Sequence, residues 1–323
     1  MFSQIRIIMS DKLTNVTLIK NFFLMGFPDD QVLQRLYVTF FFLIYLAALM
    51  GNSLIITITT IDKHLQSPMY FFLKNLSLID ICYISVTVPK SITNSLNNSH
   101  SISFMGCASQ VFFVIFFAGT EFSLLLVMCY DRYAAICHPL HYEAIMNRSA
   151  SVQMVTASWF SGCIYGFIHV AGIFSLHFCG SNIVHQFFCD IPSLLTLSCS
   201  REQILEYVFI IASCCFAFVC FILMVVSYVH IFSTVLKIPS VQGRFKTFST
   251  CMPHLIVVTL FLSSGFIAYL GSTLKSRSSL NLFMSVLYSL LPPSLNPVIY
   301  SLRHRDMKVA LGKIFDEKMT VKL

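Results

Sequence analysis

Met128-Cys-Tyr-Asp-Arg-Tyr-Ala-Ala-Ile-Cys137 ends a long apolar run and places Asp131, Arg132 and Tyr133 side by side. The run before it contains one charged residue, Glu121. It is long enough for a membrane-spanning helix, which needs about 20 apolar residues. Charges at the end of such a span either anchor it at the headgroups or act as a switch.

The composition extends this interpretation to the whole chain. Hydrophobic residues make up 56% and charged residues 11% of the sequence, and the mean hydropathy is +0.77. Soluble domains carry about 25% charged residues, so this composition requires a bilayer as solvent. The net charge of +7 is spread thinly along the chain, which argues against a nucleic-acid partner. Seven apolar runs follow one another at 36–61, 68–92, 102–130, 149–178, 207–236, 247–274 and 278–302.

These runs predict an all-α membrane protein, a seven-transmembrane helix bundle in contact with membrane lipid. We divide the chain into an extracellular N-terminus (1–35), the seven-transmembrane bundle (36–302) and a cytoplasmic tail (303–323). The tail has an apolar side, which predicts a short amphipathic eighth helix along the inner headgroups.

The orientation follows from charge and from a glycosylation sequon. Lys and Arg are more numerous on the side of the C-terminus, which predicts an extracellular N-terminus and a cytoplasmic C-terminus in the plasma membrane. Asn15-Val16-Thr17 is a sequon, and its glycosylation at Asn15 would require the same orientation. The first span is expected to act as an uncleaved signal-anchor.

Four of the twelve cysteines fall on the proposed outer side: Cys107, Cys179, Cys189 and Cys199. An oxidising lumen favours disulfides there, and four cysteines allow three pairings among which the spacing does not choose. The remaining cysteines lie in spans or at their inner ends, where a free thiol packs as a small hydrophobic group.

Polar residues inside the predicted spans need a physical reason. Asp80 and Glu121 are mid-span acids, and Asn52 and Asn296 lie at comparable depths. The acids could share a proton, hold a cation or line a water-filled cavity, or the cluster could only order the helices. Pro297 interrupts the backbone hydrogen bonding of the seventh span and predicts a kink.

No enzyme motif is present in the sequence. It contains no Walker loop, no His-Glu-x-x-His and no nucleophile elbow, so we expect neither catalysis nor a resident cofactor apart from a sodium ion at the acid cluster.

These stretches together resemble the rhodopsin-like G-protein-coupled receptors and, within them, the olfactory receptors. The resemblance extends from about Asn15 to Leu311. Its motifs, beside the stretch quoted above, are Gly51-Asn52, Ser67-Pro-Met-Tyr-Phe-Phe-Leu73, Leu76-Ser77 with Asp80, Ser227-Tyr228, Lys246-Thr-Phe-Ser-Thr-Cys251 with His254, and Pro293-Ser-Leu-Asn-Pro-Val-Ile-Tyr300.

The resemblance implies roles for these residues. It pairs Cys107 with Cys189 and Cys179 with Cys199. It implies a sodium-type site at Asp80, Glu121 and Asn296. It also implies that a set of residues rearranges when a G protein binds, with Asp131 as the resting partner of Arg132. That set is Asp131, Arg132, Tyr133, Tyr228, Asn296, Pro297 and Tyr300.

The chain departs from the olfactory pattern at several positions. The family usually has Ala at Cys129, Val at Ala134, Ala at Thr247, Ser at Pro253, and Tyr followed by Gly at Leu262-Ser263. No required charge is lost, so an intact receptor is expected. The missing tyrosine hydroxyl lies near the expected pocket floor, where it would alter ligand choice.

By analogy, the ligand lies between the outer halves of the third, fifth, sixth and seventh spans. The predicted lining is apolar with a few hydroxyls, which suits a small volatile molecule. Val114 stands where amine receptors carry an acid, so biogenic amines are not expected. The predicted contacts are Val114, Ile115, Ala118, Gly119, Phe209, Ala212, Ser213, Phe216, Phe266, Tyr269, Ser285 and Ser289.

The sequence therefore predicts an odorant receptor that activates an olfactory-type stimulatory G protein, raises cyclic AMP and needs a trafficking chaperone. Two alternatives stay open from the residues alone. One is the same receptor acting outside the nose as a sensor of a small metabolite. The other is a seven-span transporter or channel, which would show inverted repeats and broken helices in matching halves.

Overall fold

Seven long helices form the protein in a computed structural model that describes residues 20–25, 30–97, 99–178, 182–198, 204–273, 279–303 and the positions 307, 309 and 312. The helices coincide with the seven predicted runs, which confirms the fold class. In the described residues, the first six are long and apolar enough to cross a membrane. Their bounds are α1 Gln31–Ile61, α2 Pro68–Leu96, α3 Phe104–Cys137, α4 Arg148–Phe174, α5 Ile204–Leu236, α6 Val241–Thr273 and α7 Ser279–Arg303.

Two predicted segments lie largely outside the described residues. The N-terminal stretch with Asn15 is one of them. The other is the tail with the amphipathic eighth helix, of which only the helical positions 307, 309 and 312 are described. The domain boundaries predicted from the sequence stay predictions.

Polar caps fix where several helices begin. Asp30 Oδ1 accepts the amides of Val32 and Leu33 at the start of α1, both at 2.9 Å. Ser103 caps α3 through the Gly106 amide at 3.1 Å. Such side-chain oxygens satisfy amides that have no partner inside the first turn. The capping residues therefore determine where these helices begin, because the apolar runs that follow do not.

The helix α3 is the centre of the bundle and contacts α2, α4, α5 and α6. Its approach to α4 depends on Gly162. A Cβ atom at this position would overlap the Thr120 side chain and come within 2.6 Å of the Phe116 carbonyl oxygen. Small residues permit such close backbone contact in membrane helices, so Gly162 fixes the α3–α4 distance.

The helix α5 packs differently, because most of its apolar side chains face outward. Phe216 is 65% exposed, and Phe218 and Ile211 are exposed to a similar extent. An apolar surface of this kind suits lipid rather than water, in agreement with a multi-pass membrane protein. The buried residues of α5 form one stripe, Cys220, Met224, Tyr228, Ile231 and Val235.

A three-stranded sheet covers one end of the bundle. Its strands are β1 Asn21–Leu24, β2 Ser101–Ser103 and β3 Ile183–Val184, in the order β2-β1-β3. β1 pairs antiparallel with β2 and parallel with β3. We call this end the sheet end. The opposite end, where α3 finishes, is called the Arg132 end.

Candidate functional site

A covered cavity of about 150 Å³ lies toward the sheet end of the bundle. Its walls come from α2, α3, α6 and α7, and its roof comes from residues 189–192. The lining is almost wholly apolar, as is usual for sites that bind small molecules. It consists of Tyr83, Val111, Val114, Ile115, Ala118, Glu121, Cys189, Asp190, Ile191, Pro192, Phe261, Ser264, Gly265, Tyr288 and Pro292.

The structure places three of the predicted contact residues in this lining, namely Val114, Ile115 and Ala118. Gly119 faces α4 instead, since a Cβ atom there would lie 3.1 Å from Cδ1 of Tyr165. The role of the first three in ligand binding stays a prediction.

The predicted contact residues of α7 do not belong to the described lining. Ser285 and Ser289 are buried outside it, and the Ser289 hydroxyl donates to the Ser285 carbonyl at 2.8 Å. Phe266 and Tyr269 belong to α6, but their side chains lie outside the described residues.

The four predicted residues of α5 require a correction. Ala212 and Phe216 are exposed on the outside of the bundle, and Phe209 is only half-buried and does not line the cavity. Ser213 forms a 3.1 Å hydrogen bond with His169 of α4. Because α5 is apolar on all sides, its sequence does not indicate which face turns inward.

The disulfide Cys107–Cys189 ties the roof to the start of α3 with a Cα–Cα distance of 5.6 Å. This confirms one of the two pairings that the resemblance implied. The other, Cys179–Cys199, lies outside the described residues, although the neighbouring Phe178 and Ser198 pair as an antiparallel bridge.

Gln110 provides a second connection between α3 and the roof. Its side-chain oxygen accepts the Cys189 amide at 2.9 Å, and its side-chain nitrogen donates to the Val86 carbonyl at 3.0 Å. Ser91 also donates to the Phe187 carbonyl at 2.7 Å. The backbone of the roof is therefore fixed against both α2 and α3.

Asp190 is a cavity residue that the sequence analysis did not select. It is 8% exposed and caps the short helix Ile191–Leu197 by accepting the Ser193 amide at 3.3 Å. Burial raises its pKa to about 6, since desolvation disfavours the charged carboxylate. Its position next to Cys189 was the signal that could have located it, because the implied disulfide places that segment over α3.

The two intramembrane acids meet at one amide. Asn296 Nδ2 donates to Asp80 at 3.1 and 3.3 Å and to Glu121 at 3.3 Å, and all three residues are buried. Asn296 Oδ1 has no hydrogen-bond partner among the described residues. Asn52 does not join this cluster through its amide nitrogen, which donates to the Ala48 and Pro293 carbonyls.

At the Arg132 end, Asp131 has a hydrogen-bond partner that the sequence analysis did not name, and the charge of Arg132 also acts on it. Its carboxylate accepts the Tyr142 hydroxyl at 2.8 Å, and no ion pair joins it to Arg132 although the structure describes both side chains. Burial and the nearby Asp131 raise the pKa of Tyr142, so its hydroxyl stays protonated as the donor. Tyr142 lies in the loop after α3 and was not identified from the sequence.

Arg132 instead lies within electrostatic range of Tyr228, His254 and Tyr300. Its Nε is buried without a partner among the described residues. The structure thus brings together Arg132, Tyr228 and Tyr300, which the resemblance had grouped.

The ring of His254 links three helices at this end. His254 Nε2 lies 3.0 Å from the Leu125 carbonyl oxygen, and Nδ1 lies 2.6 Å from the Tyr228 hydroxyl. A carbonyl can only accept, so Nε2 carries the hydrogen and Nδ1 accepts from Tyr228.

The remaining predicted switch residues have local contacts. Tyr133 pairs with His138 through a 3.2 Å hydrogen bond between its hydroxyl and Nε2. Pro297 packs against α1, where a Cβ atom on Gly51 would approach the Pro297 Cβ to 2.9 Å. Gly51 therefore leaves room for the proline of α7.

A seven-helix membrane bundle with a covered cavity near one end, and Arg132 among Tyr228, His254 and Tyr300 at the other, has the architecture of a membrane receptor. A family model described as "Olfactory receptor" matches residues 41–318. The human protein Olfactory receptor 14A16 is 55% identical over 310 residues, which cover 96% of this chain and all of the relative. Human Olfactory receptor 14L1 is 53% identical, covering 93% and 92% of the two chains. The chain belongs to the olfactory receptor family.

Proposed function

We propose that this protein is an odorant receptor that binds small apolar volatiles in the covered cavity and activates an olfactory-type stimulatory G protein, raising cyclic AMP. The cavity carries the proposal, because it is roofed by residues 189–192, almost wholly apolar and about 150 Å³ in volume. An apolar cavity of about 150 Å³ accepts a molecule of the size of benzene.

The size of the cavity also limits the affinity. Burying roughly 200 Å² of ligand surface, as for an aromatic side chain, gives about 5 kcal/mol. This corresponds to a Kd on the order of 0.2 mM. Tighter binding would require a polar contact in addition to area burial.

The Arg132 end supports coupling to a G protein. Arginine stays charged, and a buried Nε without a partner gains free energy when an acceptor reaches it. The Tyr228 and Tyr300 side chains lie around Arg132 on two further helices, so a shift of α5 or α7 would change its surroundings. We infer that the G protein engages Arg132 when the bundle opens at this end.

The test is a cyclic AMP assay in cells that also express a trafficking chaperone. Arg132→Ala should abolish ligand-dependent cyclic AMP while cell-surface levels stay within about twofold of the original protein. Arg148→Ala, which changes an arginine at the start of α4, is the matched control. A response that persists in Arg132→Ala, or ion flux without any G protein, would contradict the proposal.

The orientation belongs to the same proposal. We place the sheet end and Asn15 outside the cell and the Arg132 end in the cytoplasm. The Cys107–Cys189 disulfide at the sheet end supports this, because disulfides persist in oxidising compartments. Asn15→Gln should remove a glycosidase-sensitive mass shift, whereas Asn147→Gln, at the opposite end, should not.

We also propose a sodium ion beside Asp80, Glu121 and Asn296. Two carboxylates and Asn296 Oδ1, which has no partner among the described residues, offer the oxygen ligands that hard cations prefer. Bound sodium would offset the repulsion between the acids. Basal cyclic AMP should then depend on sodium concentration, and Glu121→Ala should remove that dependence. Sodium-independent signalling in both proteins would exclude this site.

A further inference from the structure

The roof of the cavity carries an acid where the rest of the lining is apolar. Asp190 is 8% exposed and borders the cavity beside Cys189 and Ile191. The second acid of the lining, Glu121, belongs to the polar cluster on the other side. Tyr83, another lining residue, lies within electrostatic range of both acids.

No cation balances this arrangement within the described lining, which contains no Lys, Arg or His. The factors that set the ionisation of Asp190 are burial and hydrogen bonds within its own turn, with no basic side chain among them. A buried carboxylate without a cationic partner is costly, and a ligand that donates to it would recover part of that cost.

The roof acid is also held rigidly. The preceding residue, Cys189, is fixed by the disulfide to Cys107 and by the 2.9 Å hydrogen bond to Gln110. The following residues form the short helix Ile191–Leu197. A polar group on such a supported backbone recognises a ligand with little loss of conformational entropy.

Capping the short helix does not by itself explain an acid at this position. The hydrogen bond from the Ser193 amide to the Asp190 carboxylate is long at 3.3 Å. Asn or Ser caps a helix as well as Asp does, without burying a charge. The raised pKa of Asp190, about 6, shows that the carboxylate is disfavoured where it stands.

We propose that Asp190 is the polar ligand contact of this receptor, and that it selects small apolar molecules bearing a hydrogen-bond donor, above all a protonated amine, over carboxylates. This inference rests on the proposed function, because it requires the ligand to occupy the cavity. The sequence had argued against amines because Val114 of α3 is uncharged. The tertiary structure supplies the acid from the roof instead.

Four probes of nearly equal size separate donor recognition from simple area burial: benzylamine, benzyl alcohol, toluene and benzoate. Each is near the size that a cavity of about 150 Å³ admits. A hydrogen bond to a charged group contributes a factor of roughly 10 to 100 in affinity. We therefore expect the order benzylamine, benzyl alcohol, toluene, benzoate, with at least tenfold between the first and the last.

The experiment measures cyclic AMP dose-response curves and, on purified receptor, ligand-induced shifts in melting temperature. Asp190→Asn should weaken benzylamine at least tenfold and leave toluene within about twofold. Asp30→Asn is the matched control, because Asp30 also caps a helix but does not border the cavity. It should leave all four probes unchanged.

A pH series provides a second readout that a purely structural role would not change. Benzylamine remains protonated across this range, so its potency should fall as pH drops through about 6, where Asp190 becomes neutral. The other titratable side chains facing the cavity are Tyr83 from α2, Glu121 from α3 and Tyr288 from α7. In Asp190→Asn the step near pH 6 should disappear.

The outcomes separate the two proposals. Benzylamine binding that depends on Asp190 without any cyclic AMP response supports this inference and contradicts the signalling function. A response to toluene or benzoate that Asp190→Asn leaves unchanged, with no preference for benzylamine, overturns the inference and leaves the function standing. A melting temperature that none of the four probes shifts also overturns it.

Discussion

The two ends of the bundle satisfy their buried polar groups in different ways. At the sheet end, the Gln110 side chain accepts a hydrogen bond from the Cys189 amide and donates one to the Val86 carbonyl. The Cys107–Cys189 disulfide also joins the roof to α3. At the Arg132 end, the Nε of Arg132 has no partner among the described residues, and Asp131 is held by Tyr142 from a loop.

This difference in hydrogen bonding indicates that the sheet end is the more rigid of the two. Paired hydrogen bonds and a disulfide resist rearrangement, so the sheet end can hold a small ligand in one geometry. The buried Nε of Arg132 lacks a partner among the described residues and would gain free energy from an arrangement that supplies an acceptor, so the Arg132 end can respond to a helix shift. The proposed function uses both properties, because it assigns ligand recognition to the sheet end and signal transmission to the Arg132 end.

The largest expected effect on stability comes from removing the disulfide that ties the roof to α3. Cys107→Ser should remove the disulfide to Cys189 and destabilise the receptor by about 2–5 kcal/mol. Melting temperature in detergent and cell-surface level should both fall sharply. The control is Cys163→Ser, which changes a free cysteine of α4. Equal behaviour of the two variants would show that the roof does not stabilise the sheet end.

Replacing Asp190 of the same roof by asparagine is expected to stabilise the folded protein. Burial raises the pKa of Asp190 from 3.8 to about 6, so the folded protein loses stability as pH rises through that interval. Asp190→Asn should increase the free energy of unfolding at pH 7.5 by about 3 kcal/mol, seen as a higher melting temperature, and should have little effect near pH 4. A gain that is independent of pH would mean that the charge is not the cause.

A smaller effect is expected from the amide beneath the roof. Gln110→Ala removes the hydrogen bonds to Cys189 and Val86 and leaves buried backbone groups unpaired, at about 1–3 kcal/mol. The melting temperature should fall, while basal signalling should persist. Gln153→Ala, at an exposed position of α4, should have no measurable effect.

The smallest effect on stability, but a large one on signalling, is expected at the Arg132 end. Tyr228→Phe removes the 2.6 Å hydrogen bond to His254, which contributes about 0.5–1.5 kcal/mol. We expect reduced ligand-dependent cyclic AMP at a surface level close to that of the original protein. Tyr130→Phe, at a 43% exposed position of α3, is the control. A Tyr228→Phe receptor that signals fully would show that this end does not depend on the linkage.

Sequence reasoning succeeded where one residue type has one physical requirement. Long uncharged runs can lie only in a bilayer, which located the seven helices. Intramembrane acids need polar partners, and Asp80 and Glu121 do meet at Asn296. On α3, the helical spacing places Val114 and Ala118 on one face, and both residues line the cavity.

The same reasoning failed where several arrangements are equally apolar. The rotation of α5 could not be read from its sequence, and Phe216 therefore lies on the outside. The hydrogen bond to Asp131 from Tyr142 of the following loop was not indicated by the sequence, which named only Arg132 as a partner. Contacts from loops depend on distances that spacing along the chain does not give.

The sequence by itself determined the solvent, the seven helices and the family of this protein, because each follows from composition or from motifs that stay local in the chain. Only the tertiary structure decided what surrounds the ligand cavity. Asp190 borders it because a disulfide and Gln110 bring a loop over α3 from a distant part of the chain. An apolar helix can turn many faces inward at similar free energy, whereas the packed bundle selects one of them.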